Sequence, residues 1–579
     1  MNFIWQYVKQ YRGKLLITLL AAMSSATVMI GLPTLLAQMI DNAIITADVD
    51  LLWRYAWMMS GLVLLGLIAR TITSYTTSSI VNDMTMSIRN DSFEKMQSLS
   101  HHEFQELGVA SLTTRISTDA FVLLQFMEMV LRQGLISPLM MIFSVIMIFT
   151  ISPSLGVVVI PVSIIIAISV FVIAKITLPI SEKQQLSLDK INRILRENIT
   201  GLRVIRAFNN ENFQRNRFKD VNTEYKTQSS KLFKTIAVTP ALFSLLLNLV
   251  IIAIVWFGAQ MVDLGTMQVG TIVAFIEYVF HALFSLLMFA NLFMMYPRAA
   301  VSAGRLQEVM DTPITVASPS SEVAITETES LGSLEFRDVD FAYPDASKPV
   351  LRNISFKAGP GETVAFIGST GSGKSTVVKL IPRFYDVSKG QVLVDGIDVR
   401  NYDLDALRAK IGYTPQKALL FTGDIAENLR YGKYNADDLD MEHATNVAQA
   451  SEFINRLETK YATHLDEGGN NLSGGQKQRL SIARSIISNR EIYIFDDSFS
   501  ALDYKTDAVV RQALKEETKN AATIIVAQRV SSIIHADQII VLDEGEIAAK
   551  GTHKELLKSS QLYYDIASSQ LSEEELNRE

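Results

Sequence analysis

The stretch ETVAFIGSTGSGKSTVVKLI, residues 362–381, is the most specific pattern in the chain. Its centre, GSTGSGKS, matches the phosphate-binding loop GxxxxGK[ST], with an apolar strand pattern before it and a helix pattern after it. Glycines let such a loop wrap phosphate oxygens, and the N-terminus of the next helix adds N–H donors. The lysine reaches the β- and γ-phosphates and the final hydroxyl reaches Mg²⁺. We therefore predict a nucleotide site formed by Gly368, Ser369, Thr370, Gly371, Ser372, Gly373, Lys374, Ser375 and Thr376, with Ser375 on the metal.

Composition indicates a membrane protein joined to a soluble part. The chain has 579 residues, 49% of them hydrophobic, and the apolar residues are concentrated in its first half. The net charge of −7 gives no basic bias toward nucleic acid. The absence of cysteine excludes disulfides, thiolate catalysis and cysteine metal sites.

Six apolar stretches are long enough to cross a bilayer, which takes about 20 residues each. They lie near 15–40, 53–79, 133–151, 155–178, 236–262 and 270–296. Lys and Arg crowd the connections between spans two and three and between spans four and five, which predicts cytoplasmic connections and cytoplasmic termini. The first 14 residues, MNFIWQYVKQYRGK, lack a signal-peptide cleavage site and predict an amphipathic helix on the inner face of the membrane.

The two long connections lack a break rich in Pro and Gly and carry an apolar stripe at helical spacing. We expect the spanning helices to continue into the cytoplasm and to turn through short cross-helices near 109–117 and 201–211. Solvated loops are the alternative.

The chain changes character after the last span. Residues 311–333 are polar, with Pro and Ser, and predict a linker. The predicted organisation is an interfacial helix at 1–14, a transmembrane domain at 15–310, this linker, and a nucleotide-binding domain at 334–579. The fold class is therefore multidomain: an all-α domain of six transmembrane helices followed by an α/β domain with a phosphate loop.

Further motifs accompany the phosphate loop. IYIFDDSFSALD, residues 492–503, is an apolar strand that ends in two acids: Asp496 is placed to hold a metal, and Asp497 is placed where a general base could activate water. LSGGQKQR, residues 472–479, is a second helix start of the phosphate-binding kind. Because the chain already has one such start, this second start suits a nucleotide held by another copy of the domain.

Together with FAYP and YTPQ, these motifs resemble those of the ATP-binding cassette (ABC) proteins, and six spans followed by one cassette resemble half of an ABC exporter. The resemblance covers essentially the whole chain and implies ATP and Mg²⁺ as cofactors. It implies that Tyr343 stacks on adenine, that Gln416 contacts Mg²⁺ and senses the γ-phosphate, and that Asp496 holds the metal. Ser473, Gly474, Gly475 and Gln476 are similar to the signature that closes over a partner's ATP. The two cross-helices resemble coupling helices that dock on the cassettes.

Two positions depart from the family pattern. The acid after the metal-holding Asp is usually Glu and the switch residue is usually His, whereas this chain has Asp497 and Gln528. Asp is shorter by about one C–C bond, ~1.5 Å, and Gln cannot carry the charge or relay the proton that His can. With the signature intact, the pattern resembles the weaker-site subunit of heterodimeric bacterial multidrug exporters. The competing interpretation is a homodimer with slow turnover.

The substrate class follows from the last two spans, which are rich in aromatic residues and Met. Such surfaces suit lipophilic molecules of varied shape, and aromatic faces also receive cations. Glu277 and Glu128 lie in or beside apolar stretches and are functional candidates. The leading hypothesis is an ATP-driven exporter of lipophilic compounds in the cell membrane. The alternatives are a lipid or peptide exporter and a membrane ATPase or sensor that transports nothing.

Overall fold

The structure is a computed structural model that describes residues 2–319, 324–326 and 332–571. It divides into two compact units. The first, here called the membrane unit, comprises Met1–Gln97 and Val109–Thr312, and the second, the sheet unit, comprises Ser98–Gly108 and Pro313–Glu579. Parts of the predicted linker, 320–323 and 327–331, and the C-terminal residues 572–579 lie outside the described residues.

The first part of the chain is built of helices joined by short turns. Its helices are α1 (Asn2–Val8), α2 (Arg12–Met39), α3 (Val49–Ser98), α4 (His101–Leu107), α5 (Val109–Thr114), α6 (Ala120–Ile151), α7 (Pro153–Thr200), α8 (Leu202–Ala207), α9 (Glu211–Asp263) and α10 (Val269–Asp311). Within the described residues, six helical segments are long and apolar enough to cross a membrane, and each predicted span lies inside one of them. Helices α3, α7 and α9 reach 48 to 53 residues, more than twice a bilayer span, so each is long enough to extend beyond a membrane.

Buried carboxylates hold α10 near both of its ends. Asp41, 8% exposed, accepts a hydrogen bond of 2.6 Å from the backbone N–H of Gly270. Asp119, 4% exposed, accepts one of 2.7 Å from the hydroxyl of Ser302. Both acids lie in single π-helical turns, Ile40–Ile44 and Arg115–Asp119, where the extra residue in the turn displaces a side chain from the ordinary helical register. These contacts fix α10 at two positions along its length.

The sheet unit contains twelve strands among its described residues. They are β1 (Leu334–Phe341), β2 (Leu351–Ala358), β3 (Thr363–Gly368), β4 (Lys389–Val394), β5 (Ile397–Asp398), β6 (Ile411–Thr414), β7 (Gly423–Asp424), β8 (His464–Leu465), β9 (Ile492–Asp496), β10 (Ala522–Val526), β11 (Gln538–Asp543) and β12 (Glu546–Gly551). Its later helices are α11 (Lys374–Leu380), α12 (Leu404–Ala409), α13 (Ile425–Arg430), α14 (Asp438–Val447), α15 (Ser451–Ile454), α16 (Gly474–Ile486), α17 (Tyr504–Glu517), α18 (His553–Ser559) and α19 (Gln561–Ser568).

The central sheet has the order β12-β11-β3-β10-β9-β6 and is parallel except for β12. A second, antiparallel sheet has the order β2-β1-β4-β5. Successive side chains of a strand point to opposite faces. Ile492 and Ile494 of β9 therefore join one apolar cluster, while Tyr493 and Phe495 join the other. Because parallel strands end at one edge, the loops after β3, β6, β9 and β10 all emerge there.

Helix α4 belongs to the sheet unit, which sequence reasoning did not foresee. The His101 ring lies edge-to-face with Tyr385 at 5.6 Å, and Thr315 donates a 2.5 Å hydrogen bond to the buried Glu103. Burial, and secondarily the charge of Lys379, lowers the pKa of His101 below its usual value. The short helix predicted near 109–117 is present as Val109–Thr114 and belongs to the membrane unit, whereas the preceding helix His101–Leu107, which was not predicted as a separate element, packs on the sheet unit. Gly108, at φ +74°, ends α4 and separates the two helices.

Candidate nucleotide site

The phosphate loop lies between β3 and α11, as the sequence predicts. Gly373 has φ +99°, a left-handed conformation that side chains disfavour, and a Cβ there would lie 2.6 Å from the Leu351 side chain. Only glycine fits both requirements. Ser369, Thr370 and Gly371 at the tip of the loop are exposed, so the backbone there is accessible to a ligand.

Two side chains of the loop, those of Lys374 and Ser375, are held by hydrogen bonds. The ammonium group of Lys374 folds over the loop and donates to the carbonyl oxygens of Gly368, at 2.9 Å, and Ser369, at 2.7 Å. Burial lowers its pKa, and the charges of Asp497 and Asp496 oppose that shift. The hydroxyl of Ser375 donates to Asp496 Oδ1 at 2.9 Å. An ammonium group, a hydroxyl and a carboxylate in this arrangement can bind a phosphate together with a hard cation.

Tyr343 lies beside the loop rather than on a remote strand face. Its hydroxyl is 3.1 Å from that of Thr376, and its ring contacts Phe341 and Tyr385 edge-to-face at 4.9 and 5.2 Å. Those contacts fix the ring plane next to the start of α11. A fixed aromatic ring beside a phosphate loop can stack on a base.

The two acids that end β9 differ in their surroundings. Asp496 is 3% exposed, and burial raises its pKa, with the neighbouring Asp497 adding to the shift and Ser375 opposing it. Asp497 is 7% exposed and has φ +49°, a strained backbone conformation for a residue other than glycine. Its N–H is held by the carbonyl of Val526 at 2.9 Å, which stabilises the turn. Strain of this kind concentrates at functional sites.

The parallel sheet brings two distant residues to the second acid. Oδ2 of Asp497 accepts a 2.6 Å hydrogen bond from the Gln528 amide, which follows β10, and a 3.2 Å bond from the Gln416 amide, which follows β6. An open cleft of about 190 Å³ lies beside Asp497 and Gln528. The predicted positions 416, 497 and 528 therefore form one cluster, although 81 and 31 residues separate the bonded pairs.

The signature residues form a separate surface. Ser473 caps α16 by accepting from the N–H of Gln476 at 3.3 Å, and the Gln476 side chain accepts from the N–H of Ser473 at 2.8 Å. Ser473 and Gly474 are exposed. These bonds stay within the helix start, so its outer N–H groups and dipole are available to an anion from another molecule.

One residue that contacts the site, Gln570, belongs to none of the predicted motifs. Gln570, which follows α19, bonds to the backbone of Gln528 and Val530. Nothing in the sequence around this exposed glutamine distinguishes it from other surface residues, because the signal is a tertiary contact.

Known families match both parts of the chain. The ABC transporter transmembrane region matches residues 15–287, and the ABC transporter domain matches residues 351–500. An uncharacterized ABC transporter ATP-binding protein of Mycobacterium tuberculosis is 36% identical over 98% of this chain and 97% of its own length. The chain belongs to the ABC transporters.

Two further comparisons concern the fold of this ABC transporter. An ATP-dependent lipid A-core flippase of Vibrio vulnificus is 28% identical over 98% of this chain and 97% of its own length. The solved structure of a bacterial Atm1-family ABC exporter with ATP bound has a TM-score of 0.81, with 23% identity, and covers 98% of this chain and 99% of that one. The chain therefore has the fold of an ABC exporter half, with a multi-pass membrane domain and an ATP-binding domain. ABC exporters couple ATP hydrolysis to transport and act as dimers of two such halves.

Proposed function

We propose that this chain is the weak-site half of a heterodimeric exporter of lipophilic compounds. One observation carries the proposal: a single oxygen of Asp497 is bound by the amides of Gln416 and Gln528. Both groups donate to the carboxylate, and neither can take a proton from it or carry charge to a phosphate. General-base catalysis needs an oxygen within hydrogen-bond reach of the attacking water. A site with such a short acid, held by two amides, can bind Mg²⁺-ATP, but the acid activates water poorly.

The ATP-binding residues support binding without fast hydrolysis. The Lys374 ammonium group lies on the phosphate loop, Ser375 bonds to Asp496, and the Tyr343 ring lies beside the loop, which supports binding of Mg²⁺-ATP by these residues. The signature start at Ser473 is formed and exposed. This chain would therefore hold ATP in its own loop and offer a working signature to the partner's ATP.

The partnership has a direct test. The purified chain alone should hydrolyse ATP slowly, and co-expression with a similar half that carries Glu at the position of Asp497 should give a stable 1:1 complex with high turnover. The control is the same complex with Lys374→Ala, which removes ATP binding at this chain's loop. Fast hydrolysis and dye transport by the chain alone would instead establish the homodimer.

The open face of α10 supports a lipophilic and cationic substrate. Glu277 is exposed, and Phe280 and Phe284 follow it on the same helical face, stacked at 5.6 Å and 36% and 39% exposed. Phe275 and Tyr278 are fully buried, so they pack the membrane unit. An exposed carboxylate beside aromatic faces suits an apolar cation. Glu128 is less suited, because it already pairs with Arg132 at 3.1 Å.

Lipid export is the second candidate, favoured by the full-length relation to the Vibrio lipid A-core flippase. Vesicles that contain the purified complex separate the two candidates. ATP-dependent uptake of a cationic dye supports multidrug export, whereas movement of a fluorescent lipid between leaflets without dye uptake supports lipid export. ATP hydrolysis that moves neither probe would indicate a membrane ATPase or sensor.

A further inference from the structure

The segment Ala527–Ser532, here called the switch loop, carries Gln528 to the second acid. The parallel sheet holds its start, because the N–H of Ala527 donates to the carbonyl of Phe366 at 3.0 Å. Beyond that bond the chain leaves the sheet, and Gln528 and Arg529 are exposed. A side-chain bond of 2.6 Å between Gln528 and Asp497 needs a fixed backbone, since an exposed loop samples many conformations.

Gln570 supplies that fixation with both ends of its amide. Its Nε2 donates to the carbonyl oxygen of Gln528 at 3.0 Å, and its Oε1 accepts from the N–H of Val530 at 2.8 Å. The carboxamide therefore bridges two backbone groups of the switch loop as a paired strand would. Both distances are those of good hydrogen bonds.

Gln570 is itself held in place by the end of α19. The N–H of Gln570 donates to the carbonyl of Ala567 at 3.0 Å, at the end of α19. Helix α19 is anchored by Tyr563, which is fully buried and whose hydroxyl lies 2.6 Å from Nδ1 of His553. Tyr563 and Ala567 belong to the same apolar cluster as Ala527 and Val530 of the switch loop. One core thus supports both partners of the bridge.

We propose that Gln570 is a positioning residue that sets where the Gln528 side chain meets the terminal phosphate of bound ATP. Asp497, the partner of Gln528, follows Asp496, which bonds to Ser375 of the phosphate loop. Gln528 therefore lies on the terminal-phosphate side of the site. Without the bridge, the carbonyl of Gln528 and the N–H of Val530 lose their hydrogen-bond partner, and the backbone that carries the Gln528 side chain is held less firmly. This inference goes beyond the proposed function, because it holds whether the site hydrolyses ATP quickly or slowly.

The test compares two nucleotides that differ only in the γ-phosphate. Full-length protein in lipid nanodiscs carries Gln570→Ala, and equilibrium binding is measured with Mg²⁺-ATP and Mg²⁺-ADP. Affinity for ATP should fall about threefold or more, with affinity for ADP unchanged, because only the contact with the terminal phosphate is lost. Hydrogen exchange of the Val530 amide should rise in the same variant.

A matched control lies at the start of α19, the helix that precedes Gln570. Among the described residues the Gln561 side chain bonds to Asp565 of its own turn, at 2.7 Å, so Gln561→Ala removes an exposed glutamine without touching the switch loop. It should leave both affinities and the exchange of Val530 unchanged. Equal loss of ATP and ADP affinity in Gln570→Ala would show a merely structural role and overturn the proposal. Unchanged ATP affinity, with or without faster exchange at Val530, would overturn it as well.

Discussion

Removing the Ser473 hydroxyl should affect turnover far more than removing the Asp497 carboxylate. Two equal sites would each supply half of the turnover of a dimer. If the site of this chain is weak, Asp497→Ala should lower the ATP turnover of the purified pair by less than about twofold. A hydrogen-bond donor aimed at developing negative charge is worth about 10²–10³ in rate, so Ser473→Ala should slow the partner's site by that order.

The structure separates this catalytic effect from a loss of stability. Ser473 also caps α16, and loss of such a cap costs about 1 kcal/mol. Thr552 provides the matched control, because it caps α18 in the same reciprocal arrangement with Glu555, at 2.8 and 3.4 Å, and has no place in the nucleotide site. Thr552→Ala should therefore lower the thermal midpoint as much as Ser473→Ala and leave turnover near its original value.

The assay is steady-state ATP hydrolysis by the purified pair in nanodiscs, with thermal unfolding measured on the same samples. If Asp497→Ala abolishes turnover as completely as Ser473→Ala, then Asp497 is a true general base, whose loss costs about 10²–10⁴, and the weak-site proposal is wrong. If Thr552→Ala abolishes turnover as well, the effect of Ser473→Ala is a stability effect.

Three other outcomes are expected. Asp497→Glu together with Gln528→His should raise hydrolysis at this site more than either change alone, because the two residues act as a unit; additive small effects in single-turnover assays would contradict this. Glu277→Gln should reduce export of cationic dyes more than that of neutral dyes of equal size, whereas equal loss would indicate a structural role. Acidification should weaken the packing of α4 on the sheet unit: the pKa of His101 is lowered by burial and by Lys379, so stability present above about pH 6.5 is lost as the pH falls through its folded-state pKa. Hydrogen exchange of residues 101–108 should therefore rise at low pH, and His101→Phe should remove that dependence.

Local patterns in the sequence determined the architecture. The phosphate loop, the six apolar stretches and the signature start each depend on neighbours within about 20 residues, and each is found where it was expected. Gly373 must be glycine because its backbone is left-handed, and such requirements are written into short motifs. The family resemblance rests on several of these motifs together, and the comparisons with known proteins confirm the family.

The packing of α4 on the sheet unit was not determined by local pattern. HHEFQEL is short and polar and has no apolar stripe, so nothing in it predicts burial of Glu103 or the contact of His101 with Tyr385. Gly108 was the available signal, since a glycine with a left-handed backbone commonly ends a helix. The surface of the sheet unit that buries α4 comes from residues more than 200 positions away in the same chain.

Tertiary structure alone decided which side chains form hydrogen bonds with the second acid, Asp497. Gln416, Asp497 and Gln528 follow three different strands, and only the parallel order β10-β9-β6 brings the amides of Gln416 and Gln528 within 3.2 Å of the Asp497 carboxylate. Gln570 joins them through a helix packed on the same core. A sequence records the identity of each residue and the preferences of its near neighbours. Contacts between distant segments exist only once the burial of apolar surface has paired the strands and docked the helices, because that burial supplies the free energy that offsets the entropy of closing the loops between them.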